Sequence, residues 1–282
     1  MKQEFIFLFS PNNSGTTVMS QYISSLVKNS YLPPFGNNEG QNAPKLKSYF
    51  PKNRWTSKKK LDWIYIKSIW LELLEESKKS IFIEASPPNI IKVDEIFDCF
   101  KPKHYLFSIS SPYSFIGSCL YNYSKTNLTK NRIDYMCNKW IQSAKMQIMY
   151  ISKYGYSKEI TTYESFCENP DSLIEMLFKN EAEKDIYINK SSEKSITGKS
   201  NDKFSKIINM QPKHLTYLGI KKINYISEKL SPYKEVLDFF NYKILDIKDV
   251  NNIISQNPII ALDGIDRRFS KKKFLKKRKK NK

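Results

Sequence analysis

Apolar positions recur along this chain with two different periods. Phe5 to Phe9, Ile81 to Glu84, Tyr105 to Ile109 and Glu159 to Thr162 are short and largely apolar or β-branched, as expected of strands covered on both faces. Between them, apolar residues three and four apart predict helices over 15–28, 58–79, 91–100, 113–123, 130–154, 170–179, 216–230 and 232–239. The longest carries Ile133, Cys137, Trp140, Ala144, Ile148 and Ile151 on one face, and core packing accounts for all of them. Strands alternating with long helices predict an α/β fold: a central parallel sheet flanked by helices. Two stretches read as long loops of the kind that form lids or binding sites: 30–49, rich in Pro, Gly and Asn, and 180–210, polar with little periodicity.

The join after the first strand carries the chemistry. Ser10 to Thr17 reads Ser-Pro-Asn-Asn-Ser-Gly-Thr-Thr, small residues with one glycine ahead of a helix. Such a loop leaves its backbone N–H groups uncovered, and the helix dipole adds positive potential, so a phosphate can be held by main chain alone. Ser and Thr also favour helix N-caps when no ligand is involved. The P-loop NTPase pattern, G-x-x-x-x-G-K-S/T, is broken twice: with Gly15 as its second glycine, Ser10 replaces the first and Thr16 replaces the lysine. That lysine reaches the β- and γ-phosphates, so ATP or GTP hydrolysis and small-molecule kinase chemistry are disfavoured.

The same stretch resembles the 5′-phosphosulfate loop of the sulfotransferases that use PAPS (3′-phosphoadenosine 5′-phosphosulfate), where a basic residue precedes Ser-Gly-Thr-Thr; here that residue is Asn13. Three further segments follow in the family's order. Phe82-Ile-Glu-Ala-Ser-Pro-Pro-Asn89 is similar to its E-K-S-P-x-N turn. Leu106 to Ser118 is similar to its 3′-phosphate segment, with Ser118 eight residues after Ser110, the position of the family's arginine. Ile160 to Pro170 resembles its Y-E-D-L-x-x-N-P element. Tyr233 to Tyr242 resembles its closing helix and turn, with Asn241 in place of the usual glycine, a residue that tolerates left-handed backbone. The resemblance spans roughly residues 4 to 245 and implies a P-loop-NTPase-like sulfotransferase fold.

It also implies sulfuryl transfer from PAPS, releasing PAP (adenosine 3′,5′-bisphosphate), to a hydroxyl or amine of a carbohydrate, lipid or other small acceptor, with no metal expected. Asn13, Ser14, Gly15, Thr16 and Thr17 would hold the 5′-phosphosulfate, and Ser110 and Ser118 the 3′-phosphate. Lys199, Lys125 and Lys203 are candidates to replace the cations lost at Asn13 and Ser110. Two carboxylates compete for the role of base: Glu39, in the loop 24 residues after Gly15, and Glu84, which ends the second apolar run. Losing two charged hydrogen bonds, each contributing roughly 1.5 to 3 kcal/mol, can weaken cofactor binding by a factor of about a hundred. A catalytically inactive sulfotransferase fold that binds a glycan or protein is therefore the alternative. His104 reads as a surface residue.

Charge and cysteine content add less. The formal net charge is +19 over 282 residues, and eleven of the sixteen residues from Arg267 to Lys282 are Lys or Arg, with none acidic. That block can contact polyanions or an anionic membrane surface, but it lacks the aromatic interleaving of a dedicated nucleic-acid site. A sulfotransferase-like domain over 1–248 and a flexible basic tail over 249–282 are expected. Cys99, Cys119, Cys137 and Cys167 are far apart without C-x-x-C spacing, which points to free thiols rather than a metal site. No apolar run has the length of a membrane span or signal peptide, so a cytoplasmic protein is expected.

Overall fold

The computed structural model describes residues 3–56, 60–123, 129–155, 160–189, 207–262 and 264. In chain order the first elements are β1 (Glu4–Phe9), α1 (Thr16–Leu26), β2 (Ser30–Tyr31), α2 (Pro44–Lys47), α3 (Trp63–Glu76), β3 (Ile81–Glu84), α4 (Val93–Phe100) and β4 (His104–Ile109). After them come α5 (Pro112–Tyr123), α6 (Lys130–Tyr154), β5 (Ile160–Thr162), α7 (Tyr163–Glu168), α8 (Ser172–Leu177) and α9 (Glu181–Tyr187). The last are α10 (Gln211–Leu218), α11 (Ile220–Leu230), α12 (Lys234–Phe239) and α13 (Ile247–Gln256). The chain folds into two compact units, one of Met1–Ile109 with Met146–Ile207 and one of Ser110–Lys145 with Ile208–Lys282.

All five strands lie in the first unit and pair in parallel in the order β2-β3-β1-β4-β5. The α/β class expected from the alternating pattern is the one observed. Alternation along β1 explains why both faces are covered. Ile6 and Leu8 turn to a core with Val18, Met19, Tyr22 and Ile23 of α1 and Leu173 and Leu177 of α8. Phe5 and Phe7 turn to the opposite face, where their rings meet Trp70 of α3 and Phe100 of α4. A strand apolar on both sides needs this two-sided cover.

His104, expected at the surface, is instead 3 % exposed at the start of β4. Its Nδ1 lies 2.9 Å from the Leu177 carbonyl oxygen and its ring packs on Phe178 and Tyr187, because α8 and α9 close over that end of the strand. Burial pushes its pKa down, so it sits there neutral. The cysteines are free thiols; Cys119 and Cys137 are buried.

In the second unit α10 packs on α5 and on α13. The Tyr113 hydroxyl shares a 2.7 Å hydrogen bond with that of Ser227 and accepts one from the Leu245 N–H at 3.0 Å. The helix expected over 216–230 is two helices, α10 and α11, divided at Gly219. Asn241 takes the left-handed φ of 57° that its place after α12 demands. α13 runs through residue 249, where the tail is expected to begin, and the Arg267–Lys282 block lies outside the described residues. Among the described residues no helix is long and apolar enough to cross a membrane.

Candidate anion-binding site

Strand order fixes where a ligand belongs. From β1 the chain moves to β2 at one edge, returns through β3 to the neighbour of β1, and then crosses to β4 on its other side. In open parallel sheets the crevice at such a reversal, beyond the strands' carboxyl ends, is the usual binding place. The Ser10–Gly15 loop leaves β1 at this point. Gln147 of α6 braces it from below: its Nε2 donates to the carbonyls of Phe9, 3.2 Å, and Ser108, 2.6 Å, tying the ends of β1 and β4 together.

Backbone geometry makes the loop a cradle. Asn13 and Gly15 both have positive φ, 60° and 83°. Gly15 is the N-cap of α1 and offers no capping side chain. The first intrahelical bond runs from the Met19 N–H to the Gly15 carbonyl, so the amides of Thr16, Thr17 and Val18 are the donors that a cap would otherwise take. No acidic residue occupies the first turn of α1. A Cβ on Gly15 would stand 2.2 Å from the Tyr163 ring, so glycine is required both for φ and for space. Ser14 and Thr16 are buried, whereas Asn13 and Thr17 are half-buried.

The 33–42 loop is clasped onto the first turns of α1. Thr17 Oγ1 donates to the Asn37 carbonyl at 3.4 Å, and Gln21 Nε2 donates to Asn38 Oδ1 at 3.1 Å. Glu39, two residues beyond Asn37, is 7 % exposed. Its Oε2 pairs with the Arg54 guanidinium at 2.7 Å and accepts from Asn42 Nδ2 at 3.0 Å. Oε1 of Glu39 is left without a partner among the described residues.

Glu84 is placed differently. Its Oε1 accepts from the Ser86 N–H at 2.9 Å and Asn89 Nδ2 at 2.8 Å, and its Oε2 from the Gly40 N–H at 2.8 Å. The side chain is fully enclosed, and burial raises its pKa to about 7 against the pull of those donors. A carboxylate so surrounded fastens the Gly40 loop to the end of β3. Asn89 extends the fastening, accepting from Gln41 Nε2 at 2.6 Å, while Gln41 Oε1 accepts from Arg54 at 3.3 Å. Arg54 thus ties Glu39 and the Glu84 network together from one side chain.

Asn13 to Thr17, Glu39 and Glu84 accordingly share the carboxyl edge of the first unit's sheet. Ser110 and Ser118 belong to the second unit. There the Ser110 carbonyl accepts from Trp140 Nε1 at 2.9 Å, and Ser118 Oγ accepts from Asn122 Nδ2 at 3.2 Å. Lys199, Lys125 and Lys203 lie outside the described residues. Arg54 and Gln147 are not among the residues that the sequence singles out. Gln147 carries a signal, being polar on the stripe of Trp140, Ala144 and Ile151. Arg54 carries none beyond being one of five arginines in a lysine-rich chain.

Fold and site together define a doubly wound parallel α/β protein with an anion-type loop behind its central strand. No family model and no curated protein matches this chain. Among solved structures, the sulfotransferase domain from the curacin biosynthetic pathway is similar at a TM-score of 0.40 and 13 % identity, over 65 % of this chain and 77 % of that one. A likeness that remote carries no weight for activity or ligand.

Proposed function

We propose that the protein is a sulfotransferase that moves a sulfuryl group from PAPS to a hydroxyl of a carbohydrate, lipid or other small acceptor. The observation that carries this reading is the uncapped start of α1 behind Gly15, at the sheet's reversal point, formed by a Ser-Gly-Thr-Thr sequence. The main-chain amides of Thr16, Thr17 and Val18 and the hydroxyl of Thr16 would hold the 5′-phosphosulfate, with the α1 dipole in place of the cation absent at Asn13.

Bound PAPS would supply a sulfuryl group on a phosphate leaving group: the sulfur–acceptor oxygen bond forms as the bond to the bridging phosphate oxygen breaks. The acceptor proton needs a base. Glu39 suits this better than Glu84, because among the described residues its Oε1 is unengaged while Arg54 and Asn42 orient it through Oε2. Both oxygens of Glu84 are engaged, by Ser86, Asn89 and Gly40, which suits it to holding the Glu39 loop.

The second reading, an inactive fold that binds a glycan or protein, is favoured by the neutral residues at Asn13 and Ser110. Incubation with sulfur-labelled PAPS and a panel of sugar, lipid and phenolic acceptors separates the two. Label transferred by the native protein, and cut at least a hundredfold by Glu39→Gln with PAP affinity kept, supports the transferase with Glu39 as base. Transfer unchanged in Glu39→Gln removes that assignment, and no transfer to any acceptor, with no PAP binding, supports the second reading.

A further inference from the structure

The backbone just past Glu39 is fastened without help from Arg54. The Gly40 N–H donates to Glu84 Oε2 at 2.8 Å, the Gly40 carbonyl accepts from Trp70 Nε1 at 3.2 Å, and the Gln41 N–H donates to Ser86 Oγ at 3.2 Å. The course of the chain is therefore set from α3 and from the end of β3. Among the described residues Arg54 meets only side chains of this loop, those of Glu39 and Gln41, so closing the loop does not account for it.

Arg54 reaches them from a second loop, a few residues past the buried Phe50. Asn53 Oδ1 accepts the Trp55 N–H at 3.1 Å, a turn that sets the backbone on either side of Arg54. The guanidinium then divides its ends: Nη2 meets Glu39 Oε2 at 2.7 Å, and Nη1 donates to Gln41 Oε1 at 3.3 Å. A planar fork spanning two acceptors has little freedom to turn, whereas a lysine ammonium is a single point charge. Arg54 and Asn42 both engage the same oxygen of Glu39. A carboxylate gripped in this way has its rotation fixed and keeps its other oxygen for a proton.

We propose that Arg54 is a positioning residue: by gripping Oε2 it orients Glu39 so that Oε1 takes the proton of the acceptor hydroxyl. This role rests on the transferase reading with Glu39 as base. As the acceptor oxygen bonds to sulfur, its proton passes to Oε1, and the electron pair of the breaking sulfur–oxygen bond leaves with PAP. Arg54 acts only through Glu39. A base slightly out of line loses much of its effect, so what the guanidinium contributes is orientation.

Arg54→Met tests this with and without activity. A crystal structure of the variant should show Gly40 and Gln41 still bonded to Glu84 and Ser86, with the Glu39 carboxyl group turned from its native direction. With labelled PAPS, kcat should fall roughly tenfold or more while the KM for PAPS and the affinity for PAP are kept. Arg54→Lys keeps the charge but not the fork, so its kcat should lie between the two, and it carries the same tests where the methionine variant does not fold. In a Glu39→Gln background, Arg54→Met should lower kcat no further, because no base is left to orient. An unturned Glu39 in the Arg54→Met crystal, native kcat in either Arg54 variant, or a further loss in the double variant overturns the proposal while leaving the transferase reading intact. A native protein that transfers no label, or a Glu39→Gln variant with native turnover, overturns that reading or its base, and the role of Arg54 with it.

Discussion

Among single residues, Glu84 shows how burial and hydrogen bonding compete over one carboxyl group. Donors from Ser86, Asn89 and Gly40 favour its charged form, yet enclosure at the end of β3 outweighs them, and its pKa rises from 4.5 to about 7. Because the folded state holds this proton more tightly than the unfolded chain, the stabilisation is fully present below about pH 4.5 and is lost as pH rises through about 7. The change is on the order of 3 kcal/mol. Urea unfolding at several pH values should show this decline in the native protein. In Glu84→Gln the slope should vanish, together with a loss of about 1 to 3 kcal/mol because the new amide NH2 faces N–H donors. A Glu84→Gln profile with the native slope would mean that this carboxyl does not titrate in that range. Single residues also mark what sequence can and cannot disclose. Gly15 is legible, since a lone glycine among small residues after an apolar run has few other uses. The Arg54 to Glu39 pair is not, because an ion pair between two loops leaves no periodicity.

Elements are legible where burial is two-sided. β1, β3 and β4 stand within a residue of the apolar runs, since strands covered on both faces cannot hide among polar residues. α6 has the bounds its stripe predicts, Lys130–Tyr154. β2 is invisible in the sequence: Ser30–Tyr31 is two residues long and owes its pairing to β3 rather than to its own composition. The 30–49 loop is partly structured, with a 3-10 turn at Gly40–Asn42 and the short α2, held by contacts to Glu84 and Trp70 that no local pattern announces. The brace between elements is where a mutation should be felt. Gln147→Leu removes both hydrogen bonds to the ends of β1 and β4 and leaves two buried carbonyls short of a donor, a cost of about 1 to 3 kcal/mol. Because the anion loop departs from Phe9, PAP affinity should fall along with the urea midpoint. Native values for both would show that the brace is dispensable to fold and site alike.

For the molecule as a whole, charge and fold divide the labour. More than half of the +19 charge sits in the last sixteen residues of the chain, which lie outside the described residues. The fold places the start of α1, which has no side-chain cap, at the reversal of its strand order. The central claim is that the cradle takes the phosphates of a sulfated adenosine nucleotide without its usual cation. Calorimetric titration of the native protein and of Gly15→Ala with PAP tests it most directly. One-to-one binding in the native protein, abolished in the variant by left-handed strain and collision with Tyr163, is the predicted result. No heat of binding in the native protein, or equal affinity in Gly15→Ala, would contradict it.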